Sequence, residues 1–318
     1  MSRLELRPFA DEHLDAAGAL LAARHRRHRA AEPLLSPRYE DAAAARAEVE
    51  SLWRKEGAAG AIASRGGEAV GYLVGAPADD ELWGANEWVE LAGHAVEEAE
   101  VVRDLYAAVA ARWFEAGRKR HYALVPATDP ELVDAWFRLS FGQQQAHAIC
   151  ELSAESWPTG VRKAEARDLD ALIELAPLLN EHQLRAPVFS ERRLDWDLDE
   201  LRREFESDLA SDEIGTVVAE RDGRTIGLFQ VVPLELSNMH VSLGRPERSC
   251  YLSFAVILPE VRGSGAGVAL TQASLSWAHE VGYESMVTDW RVTNLLASRF
   301  WPKRGFRTTF LRLYRSVA

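Results

Sequence analysis

The most constraining feature of this sequence is an apolar run that leads directly into a glycine-rich turn and then into a helical pattern. Residues 251–258, YLSFAVIL, are apolar except for Ser253, which is typical of a buried β-strand. Pro259 cannot donate a ladder hydrogen bond, so we expect the strand to end there. Residues 262–267 read RGSGAG, and apolar residues then recur at helical spacing up to Val281. The segment therefore predicts a strand, a glycine turn and a helix that starts near Gly265.

This turn is predicted to bind a phosphate group. The first N–H groups of a helix have no partner within the helix and lie at the positive end of its dipole. Glycines allow an anion to reach them, because side chains would hold it away. A P-loop is excluded, since Val268-Ala269 stands where Lys-Ser/Thr is required, and Val268 also replaces the third glycine of a dinucleotide fingerprint. A glycine turn without a ligand is the alternative.

The pattern that remains is R-x-x-G-x-G, formed by Arg262, Gly265 and Gly267. It resembles the acyl-CoA pyrophosphate loop of the GCN5-related N-acetyltransferase (GNAT) superfamily. Further matches follow at the superfamily's spacing: a strand at 285–290, then Asn294, Ala297, Gly305 and Phe306. The tyrosine of the superfamily pattern is replaced by Trp301. The resemblance covers about residues 160–318.

The resemblance implies that the chain binds acetyl-CoA and moves the acyl group directly to an amine acceptor, without a metal. The pyrophosphate would be held by Arg262 and by the loop residues Gly263, Ser264, Gly265, Ala266, Gly267 and Val268. The pantetheine arm would pair with the backbone edge of Ala255, Val256 and Ile257. Asn294 and Trp301 are the remaining candidate cofactor contacts. Neither the acceptor nor the length of the acyl group follows from these residues.

An alkylammonium with a pKa of about 10.4 is almost fully protonated at neutral pH, so the acceptor amine needs a base. Asp289, on the strand beside the cofactor strand, is the candidate base. The alternative is a structural carboxylate, paired with Arg291. An indole N–H cannot act as a general acid near neutral pH, so the usual donor is missing at Trp301. Tyr314 is the candidate donor in its place, and Tyr283 is a second one.

The loop that follows the first helix of the second half is polar. In relatives this loop often lines the acceptor pocket, so Glu181 and His182 are candidate substrate contacts. An ordinary polar loop is the alternative. Near the amino terminus, residues 24–29, RHRRHR, predict a solvated basic helix end. An anion site and a metal pair of His25 and His28 are the alternatives there.

Composition narrows the class of protein. The 318 residues are 47% hydrophobic, which supports a sizeable core. The net charge of −12 disfavours nucleic-acid binding, which depends on phosphate neutralisation by Lys and Arg. The two cysteines, Cys150 and Cys250, have neither metal-site spacing nor a disulfide pattern. We find no stretch long enough to span a membrane and no signal-peptide core, and we therefore expect a cytoplasmic protein with no membrane partner.

The two halves of the chain resemble each other. Residues 61–71, AIASRGGEAVG, align with 217–227, VVAERDGRTIG, at an offset of 156, and Trp136 aligns with Trp301 at an offset of 165. The change of offset predicts about nine extra residues in the second copy, within 233–248. In the first copy the glycine loop aligns with residues 97–102, EEAEVV, whose carboxylates would repel pyrophosphate. These carboxylates could instead meet a cationic partner.

We therefore expect an α/β (α+β) protein of two tandem GNAT-like domains, each a mixed, mainly antiparallel sheet flanked by helices. Residues 1–151 form the degenerate domain without a pyrophosphate loop, 152–159 the linker and 160–318 the acyl-CoA-binding domain. The predicted function is N-acetylation of a primary amine on a small molecule or protein. A non-catalytic acyl-CoA sensor or scaffold is the alternative, and the oligomeric state stays undetermined.

Overall fold

The computed structural model describes residues 3–78, 83–190 and 197–318. The first half of the chain has the following elements: β1 (Leu4–Pro8), α1 (Leu14–Ala31), α2 (Ala42–Trp53), β2 (Ala59–Arg65), β3 (Glu68–Gly75), β4 (Asn86–Val89), β5 (His94–Val96), α3 (Val101–Glu115), β6 (Arg120–Pro126), α4 (Pro130–Phe137) and β7 (Gly142–Glu151). The second half has these elements: β8 (Val161–Lys163), α5 (Leu169–Leu175), α6 (Pro177–Gln183), α7 (Leu198–Ala210), β9 (Gly215–Arg221), β10 (Arg224–Pro233), β11 (Ser249–Ile257), α8 (Ala266–Glu280), β12 (Ser285–Arg291), α9 (Leu295–Phe300) and β13 (Arg307–Ser316).

The chain forms two compact units, and neither is contiguous in sequence. The first contains Met1–His147, Val241–Pro246 and Thr308–Ala318, and the second contains Ala148–His240 and Glu247–Arg307. Most of the last strand, β13, therefore belongs to the first unit, where it lies antiparallel to β6. The functional assignment of 1–151 and 160–318 stays a prediction.

Both units contain antiparallel pairs and a parallel pair of strands. In the first unit the strand orders are β1-β2-β3-β5 and β4-β6-β13-β7, with β4 and β6 parallel. In the second unit the order is β12-β11-β10-β9-β8, with β11 and β12 parallel and the other pairs antiparallel. Helices pack against the strands in each unit. The predicted mixed, mainly antiparallel α/β fold is confirmed.

The internal repeat is visible in the element boundaries. The helices α3 and α8 both have 15 residues, and the strands β6 and β12 both have 7, with first residues 165 positions apart in each case. The hairpins β2–β3 and β9–β10 share the same register and the same irregularity at an offset of 156. A β-carbon at Gly71 would lie 3.3 Å from Leu105, and one at Gly227 would lie 2.9 Å from Leu270. A glycine lets the helix approach the hairpin in both copies.

The basic segment at the end of α1 is a solvated helix end only in part: Arg26 and Arg27 are exposed, but the other face of the segment is not. Arg24, His25 and His28 are all buried. Burial lowers the pKa of Arg24 to about 10, while burial and then the nearby Arg24 charge lower the pKa of His28 to about 3. The ring of His28 packs edge-on against Phe310, with 4.6 Å between ring centroids. This face of α1 therefore belongs to the core of the first unit, where imidazoles are stable in the neutral form.

The core of the second unit lies on the α5–α7 side of its sheet. Side chains from the two helices meet those of the central strands at the following buried positions: Leu172, Leu175, Leu201, Phe205, Val218, Leu228 and Val256. The other side of the hairpin packs against α8, where Leu270 approaches Gly227. The central strands β9, β10 and β11 are thus fixed on both faces, and only their ends and edges remain open for a site.

Candidate functional site

The glycine turn has the local structure that the sequence predicts. The strand β11 ends at Ile257, and Gly265 precedes the first residue of α8 in a left-handed conformation with φ 92°. Gly263 also has a left-handed backbone, with φ 80°. A β-carbon at either glycine would meet no atom within 4 Å. These glycines are needed for backbone conformation, and their outer side is open to a ligand.

Backbone donors of the turn are available. The first helical bond of α8 runs from the N–H of Ala269 to the carbonyl oxygen of Gly265, at 3.0 Å. Within the described ranges, the N–H groups of Gly265, Ala266, Gly267 and Val268 have no protein acceptor. Such donors at a helix start attract an anion. Two further predicted phosphate contacts, Arg262 and Ser264, are exposed at the same turn.

A gap opens beside the strand that leads into the turn. The parallel strands β11 and β12 pair only from Ser249↔Ser285 to Tyr251↔Val287. The hydroxyl of Thr288 still reaches the carbonyl oxygen of Leu252, at 3.0 Å. Beyond this point β11 keeps its pairing with β10 as far as Ile257, but has no second neighbour among the described strands. The backbone edge of Ala255, Val256 and Ile257 can therefore bind an extended ligand, as predicted for pantetheine.

The candidate base Asp289 lies on β12 and has a partner that the sequence did not indicate. The phenol of Tyr251, on β11, donates a hydrogen bond to Oδ2 of Asp289 at 2.8 Å. Burial, and next the Asp289 charge, raises the pKa of this phenol well above its usual value. Tyr251 therefore stays a hydrogen-bond donor at neutral pH. The alternative role of Asp289, a structural carboxylate paired with Arg291, stays open beside the role of base.

The residue Asn294 is brought together with His182. The Oδ1 atom of Asn294 caps α9 by accepting from the N–H groups of Leu296 and Ala297, at 3.1 and 3.2 Å. The Nε2 atom of His182, on α6, lies 3.3 Å from the same oxygen. Because an amide oxygen only accepts, Nε2 of His182 carries the proton. Glu181, the other predicted substrate contact, is exposed on the same helix.

The side chain of Trp301 is a core residue. It is 6% exposed and packs against Phe229, Phe300 and Phe306, with ring centroids 5.9, 4.9 and 5.3 Å away. Its counterpart in the first copy, Trp136, is completely buried. Packing therefore accounts for an indole at this position in both copies. The proposed contact between Trp301 and the cofactor stays a prediction.

The two candidate donor tyrosines lie in different units. Tyr314 is on β13 in the first unit, where it pairs with Tyr122 and their ring centroids are 5.1 Å apart. It is thus not part of the unit that holds Asp289 and the glycine turn. Tyr283 lies in the second unit, just after α8, and burial raises the pKa of its phenol. The assignment of Tyr314 as the proton donor stays a prediction.

The equivalent turn of the first copy is closed to anions. Glu98 forms an ion pair with Arg65, and Glu100 forms ion pairs with Arg103 and Arg138. Backbone N–H groups of the turn are also occupied, because those of residues 101, 102 and 103 donate to carbonyl oxygens three positions earlier. Neither the charge nor the backbone of this turn favours a phosphate.

The strands of the first copy are bridged where those of the second separate. The guanidinium of Arg24 donates to the carbonyl oxygens of Leu91 and His94, the first of them at 2.6 Å. The Nε2 atom of His94 in turn lies 3.1 Å from the carbonyl oxygen of Leu124, on β6. The side chains of Arg24 and His94 are thus hydrogen-bonded to backbone carbonyl oxygens beside the gap between β5 and β6.

Sequence reasoning missed Tyr251 and His240. Tyr251 looked like one member of a buried apolar run, and its contact with Asp289 follows only from the parallel pairing of β11 and β12. His240 lies in the segment with extra residues, and its ring centroid is 5.0 Å from that of Tyr251. The polar hydroxyl of a tyrosine at the start of an apolar run was the available signal. Nothing in the sequence specified that Asp289 is its hydrogen-bond partner.

The described residues contain neither a membrane-spanning helix nor a metal-binding cluster. No helix there is both long enough and apolar enough to cross a membrane. No cluster of three or more His, Cys, Asp or Glu side chains there is arranged to hold a metal ion.

Comparison with known proteins identifies a similar family model and similar folds. Residues 178–306 match the family model described as acetyltransferase (GNAT) family. A GCN5-related N-acetyltransferase from Sphaerobacter thermophilus is 12% identical, with a TM-score of 0.57 over 98% of this chain and 95% of its own. A fungal glucosamine N-acetyltransferase region, within a multi-domain β-N-acetylglucosaminidase, is 16% identical, with a TM-score of 0.52 over 99% of this chain and 38% of its own.

A tandem GNAT protein from the clavulanic acid biosynthesis pathway is 16% identical, with a TM-score of 0.46 over 99% of this chain and 98% of its own. No curated protein matches the sequence. At these identities the first two solved structures establish the fold alone.

Proposed function

Because residues 178–306 form a domain of the acetyltransferase (GNAT) family, we propose that this chain transfers an acetyl group from acetyl-CoA to a primary amine of a small molecule or protein. The observation that carries the proposal is the set of backbone N–H groups at Gly265–Val268 without a protein acceptor among the described residues. They lie at a helix start that directly follows a strand with an unpaired edge. An anion joined to an extended arm fits both features.

Acetyl-CoA, the acyl donor, is bound both by a positive charge and by backbone groups. The pyrophosphate of acetyl-CoA binds the N–H groups of the turn, and the exposed guanidinium of Arg262 supplies a positive charge. The pantetheine arm lies along β11 at residues 255–257, where its amides replace a neighbouring strand. A backbone N–H on this edge polarises the thioester carbonyl and stabilises the oxyanion that forms during attack.

Proton transfer is assigned to Asp289. Its carboxylate takes one proton from the acceptor ammonium, and the neutral amine then attacks the carbonyl carbon of the thioester. A C–N bond forms and the C–S bond breaks. The nitrogen, positively charged after attack, gives its second proton to the departing thiolate. Since a thiol has a pKa of about 8.5, the thiolate is a tolerable leaving group without a dedicated acid.

The rival function is a non-catalytic acyl-CoA sensor or scaffold. It is favoured by the buried position of Trp301, since no phenol occupies the place where the superfamily pattern has its tyrosine. Both functions require the glycine turn, and only the enzyme requires Asp289. Binding of acetyl-CoA alone therefore does not distinguish them.

The decisive measurement is release of CoA thiol from acetyl-CoA across a panel of amines, including aminoglycosides, polyamines, peptide amino termini and lysine side chains. Acetylated product, identified by mass, is expected with at least one amine and should depend on protein concentration. Tight acetyl-CoA binding without turnover on any amine would instead support the sensor. No binding of acetyl-CoA would contradict both functions.

A further inference from the structure

We infer that Tyr251 is the positioning residue of the catalytic carboxylate: its phenol holds the side chain of Asp289 in the orientation that accepts the proton of the acceptor amine. This inference rests on the proposed function, because Asp289 needs orientation only if it is the base. The inference assigns a role to a residue of β11, the strand beside the one that carries the carboxylate of Asp289. It also gives a role to the segment of extra residues in the second copy.

The pair lies where the strands separate. Tyr251 is the last residue of β11 that is paired with β12, and Asp289 stands two positions beyond its partner Val287. The phenol reaches across to Oδ2 of Asp289 at 2.8 Å. A hydrogen bond from a ring that is itself held in place favours one rotamer of the carboxylate side chain. A buried phenol that is a donor throughout the neutral pH range restricts it to one direction.

The segment before β11 fixes the ring of Tyr251 in turn. The ring of His240 packs against it, with 5.0 Å between centroids at an angle of 52°. The hydroxyl oxygen of Ser237 accepts from the N–H groups of Met239 and His240, and lies 3.1 Å from Nδ1 of His240. With its oxygen already accepting, the hydroxyl directs its hydrogen to Nδ1. The imidazole, which is 2% exposed, is therefore held firmly against the phenol.

The first copy shows that the fold does not require this polar pair. There Trp88 faces Tyr122 in the parallel pairing of β4 and β6, as Tyr251 faces Val287. The position of Asp289 is occupied by Leu124 at the same offset of 165. The two positions that hold a tyrosine and an aspartate in the second copy thus hold a tryptophan and a leucine in the first. A purely structural requirement would be met by apolar side chains, which avoid the cost of burying a carboxylate.

A double-mutant cycle tests the inference with the full-length protein and its best amine. Tyr251→Phe removes only the phenolic oxygen, and we expect kcat to fall about 10- to 100-fold, as for the loss of a hydrogen bond to a charged group. The KM for acetyl-CoA should change by less than about threefold, because the glycine turn is untouched. In the Asp289→Asn background the same change should lower kcat by less than about threefold, since the base is already absent.

The matched control is Tyr72→Phe. Tyr72 is a fully buried tyrosine of the first unit, whose phenol donates to the carbonyl oxygen of Ala92 at 2.7 Å. Both Tyr→Phe variants lose one buried hydrogen bond and should lose free energy of unfolding, but only Tyr251→Phe should lose kcat. Equal, small kcat effects in both would overturn the inference while leaving the proposed function intact, as would independent effects of Tyr251→Phe and Asp289→Asn. An unmutated protein that turns over no amine would contradict both.

Discussion

The imidazole Nε2 of His182 lies 3.3 Å from Oδ1 of Asn294, the atom that caps α9. The two residues are 112 positions apart in the sequence, and they were assigned to different sides of the reaction. His182 was a candidate contact of the acceptor, whereas Asn294 was a candidate contact of the donor. Their hydrogen bond joins α6, a helix at the place where the sequence predicted a polar loop, to the start of α9 beside β12. A candidate contact of the acceptor and a candidate contact of acetyl-CoA are therefore hydrogen-bonded to each other.

The first prediction tests the phosphate site without straining the backbone. Val268→Glu places a carboxylate in the first turn of α8, at a position that is 41% exposed. Acidic residues suit a helix start, so the fold should persist, but the charge should lower acetyl-CoA affinity about tenfold or more. Substitution of Gly265 would be less informative, because its φ of 92° disfavours any other residue.

Isothermal titration with acetyl-CoA measures this effect, and Val268→Gln is the matched control, since it has the same size without the charge. Its affinity should lie closer to that of the unmutated protein than to that of Val268→Glu. Equal affinities for the Glu variant and the unmutated chain would remove the phosphate site from this turn.

The second prediction is a stoichiometry of one acetyl-CoA per chain. In the first copy Glu98 and Glu100 are engaged with arginines, and Arg24 uses backbone acceptors beside the gap. A second pyrophosphate would have to break these contacts and would meet negative charge. Calorimetric titration gives the number of sites directly, and a value of two would show that the first copy also binds the donor.

The third prediction concerns the base. Asp289→Asn keeps the size of the side chain and can still accept from Tyr251, but it loses basicity. Turnover should fall about 10²- to 10⁴-fold, the range for a positioned general base. Acetyl-CoA affinity should change little, because the residue is not part of the turn. Single-turnover kinetics with saturating acetyl-CoA measures the effect on chemistry, and full activity in the variant would exclude Asp289 as the base.

The fourth prediction separates packing from proton transfer at Trp301. Trp301→Phe should lower the free energy of unfolding by about 1–3 kcal/mol, because the indole fills space between three phenylalanine rings. Turnover should fall less than tenfold, since no proton passes through the indole. Urea unfolding and steady-state kinetics on the same preparation give both values. A collapse of kcat with unchanged stability would make Trp301 a participant in the reaction.

The fifth prediction is a pH effect on stability in the first unit. Burial raises the pKa of Glu87 to about 8, against the opposing influence of Arg118 and Arg112. The folded state therefore keeps this carboxyl neutral, while the unfolded chain ionises it above its usual value of about 4.3. The contribution of Glu87 to stability is complete below that value and is lost as the pH rises towards 8.

Glu87→Gln removes the titration and keeps the shape. Relative to the variant, the unmutated protein should lose free energy of unfolding steadily as the pH rises from 4.5 to about 8. Parallel urea denaturation of the two proteins at several pH values measures this difference. A difference that does not vary with pH would show that Glu87 is ionised in the folded protein.

Short sequence patterns by themselves determined several secondary-structure elements of this protein and its internal repeat. The strand, glycine turn and helix at 251–280 depend on neighbours in the sequence, and the structure has them in the predicted order. The repeat is likewise local, because the same hairpin and the same helix recur at fixed offsets. The buried tryptophans Trp136 and Trp301 follow from it. Periodicity and glycine conformation are properties of short segments, so the sequence alone was sufficient for them.

The tertiary structure decided which segments meet. Most of β13 joins the first unit, where it pairs with β6, and no local pattern specifies the strand beside which a terminal strand pairs. The bond from Tyr251 to Asp289 spans 38 residues and depends on a parallel register. The burial of Arg24 depends on distant carbonyl oxygens that satisfy its guanidinium. Side-chain periodicity gives the face of an element, but its partner is set by strand pairing and packing across the whole chain.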